Sequence, residues 1–360
     1  MITYLLGAGA SYNCIPVVGN FKQRVDGLLK YITKTYVNRT AKNDIKDYES
    51  FAAFLKDFNR FFSWLMNEES ADLLAMKLYK SEKFEFFYET KIWLTLVILL
   101  FQYYRPHDAR YDKFFANIYQ DFDGPISNIS RQMAVISWNY DIQFEISYSD
   151  FLDKGAVMNT RMIQAELDVY PSFSNNDSFS KFSITKLNGS AIVQDHSLSN
   201  EMIFDIQQLN RERIIKDDNQ HGLLHPEVIN NIVDLYNFCK KEKPKIDLTF
   251  SWESDNPSNA EDRAKRVMEK TEELIIIGYS FPELNRKVDE SLFLGNKSIK
   301  RIQIQNPNFN EEKVIWFKRW IEECTESTDI KTEIRTNVEE FLSPMGPDPK
   351  RTTKGMRRVN

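Results

Sequence analysis

With 360 residues, 42% of them hydrophobic and 13% aromatic, the chain can bury one large domain or two modest ones, and its composition excludes a disordered protein. A net charge of −5 leaves no global basic field of the kind that gathers nucleic acid. The cysteines, Cys14, Cys239 and Cys324, lie far apart with no Cys-x-x-Cys pair, which excludes a zinc ribbon and argues against a disulfide framework.

The apolar run Ile2 to Leu6 predicts a buried strand. It begins almost at Met1, so no signal peptide is expected ahead of it and a cytoplasmic location is the default. The run breaks into Gly7-Ala8-Gly9-Ala10-Ser11. Small residues let a backbone approach a phosphate closely and turn its N–H groups toward it. A strand feeding such a turn is how many α/β proteins hold a dinucleotide pyrophosphate. Tyr12 stands at the third position after Gly9, so the G-x-G-x-x-G spacing is incomplete and a tight turn with no ligand stays open on these residues alone.

Residues 21–119 are predicted to be helical almost throughout. Phe51, Phe54, Leu55, Phe58, Phe61, Phe62 and Leu65 recur at three- and four-residue steps, and a second such stretch runs from Phe84 through Trp93, Leu96 and Leu100. This makes a helical insertion, about residues 22–120, too long for an ordinary crossover. Its apolar faces are read first as core, with an interface as the alternative. Ile92 to Phe101 is too short to span a bilayer and reads as a core helix.

Strand signals then return. Met133 to Trp138 leads into Asn139-Tyr140-Asp141, Phe182 to Leu187 into Asn188-Gly189-Ser190, and Leu274 to Ile277 into Gly278-Tyr279-Ser280-Phe281-Pro282. Arg301 to Gln305 leads into Asn306-Pro307, and Ile246 to Phe250, after a proline, is a further expected strand. In an open parallel sheet ligands sit outside the carboxyl ends of the strands, so these clusters are expected to converge on one crevice. The expected fold class is α/β, a Rossmann-like parallel sheet with helices on both faces, a large helical insertion after the first strand and no zinc ribbon. Leu198 to Asp262 is polar and irregular, with helical pieces near Pro226 to Cys239, and marks a smaller insertion of about residues 195–265. One domain of residues 1–343 is therefore expected. Residues 344–360, with Lys350, Arg351, Lys354, Arg357 and Arg358, read as a flexible basic tail.

Taken in order, these clusters resemble the sirtuin (silent information regulator) family, and within it the bacterial sirtuin-like, NAD-hydrolysing effectors of antiphage defence. The matching pieces are Gly7 to Ser11 with Ile15-Pro16 after it, Ser137-Trp138-Asn139-Tyr140-Asp141, Lys186-Leu187-Asn188-Gly189-Ser190, Ile277-Gly278-Tyr279-Ser280-Phe281, and Asn306-Pro307. The resemblance implies a sirtuin-like NAD-binding domain with NAD as substrate and no metal. It implies that Gly7, Ala8, Gly9, Ala10 and Ser11 cradle the pyrophosphate, with Pro16 in the following loop. It further implies that Asn139 holds the nicotinamide ribose or the attacking water, and that Asp141 contacts the nicotinamide carboxamide. Gly278, Tyr279 and Ser280 would then pack against phosphate and the adenine-side ribose, where Asn306 would hydrogen-bond. Read by itself, Asn139-Tyr140-Asp141 is also an ordinary helix cap.

Position 188 departs from the family pattern, where a His serves as the base that activates a ribose hydroxyl. Asn188 has hydrogen-bonding atoms but cannot accept a proton at neutral pH. Three explanations stay open: a hydrolase in which Asn139 and Asp141 suffice, a nucleotide-binding subunit with little catalysis, or an inactivating exchange introduced in a toxic enzyme. His196 is a weak substitute base; His221 and His225, four apart, lack a third metal ligand; and His107 reads as a loop residue. Glu145, four after Asp141, reads as a structural pairing residue. Deacetylating sirtuins carry a zinc module that this chain cannot build. The resemblance instead implies an effector silent until a sensor partner or self-assembly activates it, with no membrane and no direct nucleic-acid contact.

Overall fold

The computed structural model describes residues 1–40, 48–104, 108–119, 133–151, 159–171, 182–195, 201–202, 226–253 and 259–342. Its strands are β1 (Ile2–Leu6), β2 (Met133–Ser137), β3 (Val169–Tyr170), β4 (Ser183–Lys186), β5 (Val193–Asp195), β6 (Glu201–Met202), β7 (Lys245–Ile246), β8 (Glu273–Ile277), β9 (Arg301–Gln305) and β10 (Lys331–Arg335). Seven of them form one sheet in the order β10-β9-β8-β1-β2-β4-β3, and every pairing in it is parallel. The architecture is α/β and Rossmann-like.

Parallel neighbours need long crossovers, and these carry the helices. Between β1 and β2 run α1 (Val18–Thr40), α2 (Tyr48–Met66), α3 (Ala71–Lys80), α4 (Phe84–Tyr104) and α5 (Ala109–Tyr119), so the expected helical insertion is present as five helices. Next come α6 (Gln143–Phe151), α7 (Thr160–Glu166), α8 (Pro226–Glu242), α9 (Asn259–Glu269), α10 (Arg286–Phe293) and α11 (Glu311–Thr325).

The strand side chains alternate between two buried layers, as the period of two requires. Tyr4, Leu6, Val135, Ile184, Ile275 and Ile277 enter one core with the insertion helices and α8. Leu5, Ala134, Ile136, Leu274, Ile276, Ile302 and Ile304 enter the other with α9, α10 and α11. Helices therefore cover both faces. In the first core, Phe58 stacks on Trp93 at 4.9 Å and Trp93 meets Tyr236 of α8 at 4.8 Å, so the aromatic face of α2 is core rather than free surface. Asp57, beside that face, accepts from Tyr236 and Lys240. Ile92 to Phe101 is buried at every position, the polar Thr95 included, which is the pattern of a helix enclosed in a core.

The expected strand over Ile246–Phe250 takes a different form. Only Lys245–Ile246 pairs, antiparallel to β5, in a separate sheet of order β6-β5-β7. The residues after it are drawn away from the ladder: Thr249 N donates to the carbonyl of Asn188 at 2.9 Å. The short β3 and the edge strand β10 carry too weak a pattern to be expected from sequence. The tail of residues 344–360 and His107, His196, His221 and His225 lie outside the described residues, as do residues 196–200, 203–225 and 254–258 of the 195–265 insertion. Among the described residues, no helix is long and apolar enough to cross a membrane.

Candidate active site

Because the sheet is parallel, all of its strands end at one edge. The clusters after β9, β8, β1, β2 and β4 come from five consecutive strands, and they share that edge. The chain runs from β1 to β2, on to β3 at the edge and back to β4 between them, then crosses to the other side of β1 for β8, β9 and β10. The reversal lies between β1 and β8, and such a switch point opens a crevice at the carboxyl ends.

At the switch point two backbones touch. A Cβ on Gly7 would lie 2.6 Å from Tyr279 Cα, and one on Gly9 would lie 2.8 Å from Gly278 Cα. Gly278 has φ +61°, and a Cβ there would lie 2.4 Å from Ala10 N. Gly7 N donates to Ile277 O at 3.0 Å and Gly9 N to Gly278 O at 2.9 Å. The glycines thus permit the close approach of the β1 and β8 ends. Ala8 is the exposed residue of the turn, which coils into a short 3-10 segment, Ala8–Ser11. Pro16 is buried between this turn and α1, and Ser280 is exposed after β8.

Ser11 is the hub between β1 and β2. Its Oγ shares a hydrogen bond with Tyr111 Oη at 2.7 Å and accepts from Asn139 Nδ2 at 3.3 Å, and its hydroxyl acts to lower the pKa of Asp141. Asn139 N donates to Ser137 Oγ at 3.0 Å, fixing the loop as it leaves β2. Asp141 Oδ1 accepts from Gln143 N at 3.2 Å, so the capping contact that Asn139-Tyr140-Asp141 suggested is also made. Burial raises the Asp141 pKa, and Lys186, Ser11 and the Gln143 N–H act against that rise. Lys186, only 2% exposed, donates to Asp141 O and to Glu145 Oε1, each at 2.7 Å. Glu145 is therefore a pairing residue, also bonded by Gln164.

Asn188 reaches the same region from β4. Its Nδ2 donates to Trp138 O at 3.3 Å, whereas its Oδ1 is buried with no hydrogen-bond partner among the described residues, as is Ser190 Oγ. Gly189, at φ +69°, lets this loop pack on residue 247: a Cβ there would lie 1.9 Å from Asp247 O. Buried polar atoms in this state are free to bond a group from outside the chain. An acceptor beside a hydroxyl suits a sugar hydroxyl or an amide.

On the β8 side, Trp138 and Tyr279 stack at 5.9 Å with planes 16° apart. Tyr279 Oη donates to both Asp289 oxygens, at 2.9 and 2.8 Å, and accepts from Asn285 at 3.2 Å. Burial pushes the Asp289 carboxyl up to about 8. Asn306 Nδ2 donates to Tyr279 O at 3.1 Å and its Oδ1 accepts from Asn308 N at 2.9 Å, so its side chain builds the β8–β9 junction. The structure brings Ser11, Asn139, Asp141 and Asn188 together around the β1 and β2 ends. It sets Gly278 and Tyr279 against Gly7 and Gly9, with Asn306 one contact further out.

Sequence reasoning missed Tyr111, Arg110, Asp108 and Asp289. The first three belong to the helical insertion, about a hundred positions from the turn they touch, and nothing near them marks that contact. Lys186 stood inside a quoted motif without a role. Among the described residues, no group of three or more His, Cys, Asp or Glu is placed to hold a metal ion.

No protein-family model matches the chain, and no curated protein sequence matches it. Among solved structures it is similar to Sir2Tm bound to a propionylated peptide, at 12% identity and a TM-score of 0.29, over 90% of this chain and 92% of that one. The fold assignment stands on the sheet described above.

Proposed function

We propose that the chain binds NAD at this edge and hydrolyses it to nicotinamide and ADP-ribose. The bond between nicotinamide nitrogen and ribose C1′ breaks with its electron pair leaving on the nitrogen, water oxygen adds at C1′, and the water releases a proton. The observation that carries the reading is the buried hydrogen bond from Asn139 to Ser11, with the buried Asp141 carboxyl in the same loop, beside Asn188 Oδ1 and Ser190 Oγ, which are buried without a partner among the described residues. Such a site works by positioning and by electrostatic stabilisation of an oxocarbenium-like ribose. Asn139 has a donor and an acceptor with which to orient a water or a ribose hydroxyl, and Asp141 offers a carboxyl to the carboxamide. Asn188 Oδ1 can accept from a ribose hydroxyl without taking its proton. Gly7 to Ser11, with the exposed Ala8, and Gly278 to Ser280 sit where the pyrophosphate would cross the switch point.

The wider role, a sirtuin-like effector subunit of an antiviral defence system acting in the cytoplasm with a sensor partner or in self-assembly, is supported by the motif resemblance. A consumer of a shared cofactor must be held silent until needed, and partner-dependent activation meets that requirement.

The deciding experiment is mass spectrometry of NAD and its products with the purified native chain, with and without co-purifying protein. Nicotinamide and ADP-ribose should accumulate, and Asn139→Ala should stop them. Intact NAD in every arm, including Asn188→His, overturns the hydrolase reading. A second reading has its own observation: Asn188 offers no base. In that case calorimetry shows NAD binding without turnover, and the chain signals occupancy to a partner.

A further inference from the structure

The helical insertion reaches the turn after β1 from behind. Arg110, in α5, is 5% exposed, and its Nη2 donates to Ala10 O at 2.8 Å and to Gly9 O at 3.4 Å. The guanidinium is aimed by Asp108, 2% exposed, which accepts from Arg110 Nε at 2.9 and 3.1 Å. Asp108 is itself held: its Oδ1 accepts from Asn13 Nδ2 at 3.2 Å, and its N–H donates to Gln143 Oε1 at 2.8 Å. The far side of the guanidinium meets the C-terminal segment, with Nη1 donating to Val338 O at 3.3 Å and Cζ 5.3 Å above the Phe341 ring. That segment is anchored by Gln305 Nε2, which donates to Asn337 O at 2.7 Å.

Three separate parts of the chain therefore meet on one buried cation, and two of the carbonyls it holds belong to the glycine turn. A planar fork of donors fixes the direction of each carbonyl it binds, and hence the plane of each peptide. A Lys ammonium at the same place is a point charge that cannot hold Asp108 and two carbonyls in one plane.

We propose that Arg110 is a positioning residue: it sets the shape of the Gly7–Ser11 turn, and with it the affinity of that turn for the pyrophosphate of NAD. The proposal rests on the reading of the edge as an NAD site. It also makes the insertion and the C-terminal segment part of the binding apparatus, since both act on the turn through one side chain. Arg110 touches no reacting atom, so its loss should appear in affinity and not in the chemical step.

The test uses the full chain with Arg110→Lys, Asp108→Asn and, as a control at an exposed position of the insertion, Lys56→Ala. Binding is read by calorimetry with NAD and turnover by product release, and amide hydrogen exchange is followed over residues 7–12 without ligand. Arg110→Lys should raise the Kd or KM for NAD about tenfold or more and leave kcat within a few-fold, because binding lost equally from the ground and transition states appears in KM and not in kcat. Exchange in the turn should quicken by a similar factor while that in β1 holds. Asp108→Asn should shift both readouts the same way by less, and Lys56→Ala should shift neither. A folded Arg110→Lys variant with unchanged turn exchange overturns the proposal, and so does one with unchanged NAD affinity. If the unaltered chain binds no NAD, the proposed function fails on that result alone, and the exchange arm still decides whether Arg110 sets the turn.

Discussion

Asn139 Nδ2 donates to Ser11 Oγ across 3.3 Å, tying the loop after β2 to the turn after β1. The two residues stand 128 positions apart, and the bond exists because β1 and β2 are parallel neighbours with Leu6 beside Ser137. On the proposed function, removing the Asn139 amide takes away a group that meets the nicotinamide ribose. Asn139→Ala should lower NAD turnover by about 100-fold or more and change NAD affinity little, as measured by product formation and calorimetry. Equal losses in affinity and in thermal stability would reassign Asn139 to a structural role.

Position 188 separates binding from catalysis. Asn188→His introduces a base where only an amide stands, with the backbone already shaped by Gly189 at φ +69°. Turnover should rise by about 10²-fold or more at pH 7.5, with a rate that falls as the imidazole is protonated below about pH 6.5. A pH–rate profile of the variant checks both points.

Gly278→Ala should destabilise the protein by about 2–4 kcal/mol, because a Cβ would strike the Ala10 N and Gly9 C backbone atoms at 2.4 Å and the residue has φ +61°. Neither backbone can withdraw without opening the switch point. Urea unfolding gives the stability change, and NAD affinity should fall with it.

Asp289 makes stability depend on pH. Its folded carboxyl ionises at about 8, against about 3.9 for an unfolded Asp. Between those values the folded chain holds a proton that the unfolded chain has released. The contribution is therefore complete below about pH 4 and is lost as pH rises toward 8. Asp289→Asn should flatten this slope, so that the variant gains on the unaltered chain by on the order of 2 kcal/mol between pH 5 and pH 9. Urea unfolding of both proteins at pH 5, 7 and 9 checks it; parallel curves would mean that Asp289 is already ionised in the folded state.

Lys186 and Glu145 form a pair with side chains 2% and 0% exposed. Lys186→Met alone strands a buried carboxylate and should cost about 3–5 kcal/mol, whereas Lys186→Met with Glu145→Leu should recover most of that. The double variant still lacks the donor to Asp141 O, so a recovery of stability without recovery of turnover would place Lys186 behind Asp141 in function as well.

Much of the site was legible in the chain itself. A small or polar cluster directly after an apolar run marks the end of a buried strand, and Gly7 to Ser11, Asn139 to Asp141, Asn188 to Ser190 and Gly278 to Ser280 all follow that rule. The misread segment, Ile246 to Phe250, is apolar enough for a strand, but its backbone is drawn to the Asn188 loop. Local pattern does not tell which backbone a buried segment will bond.

By itself the sequence determined the helical insertion, the strands and the residue types at their ends, since periodicity and turn chemistry act over a few residues. Only the tertiary structure decided that β1 lies between β2 and β8, that the glycines bring two backbones together, and that Arg110, Tyr111 and Lys186 stand behind the site. Those relations join residues about forty to more than two hundred positions apart. They follow from the packing of both sheet faces and from the need to pair every buried charge, neither of which any short stretch of the chain records.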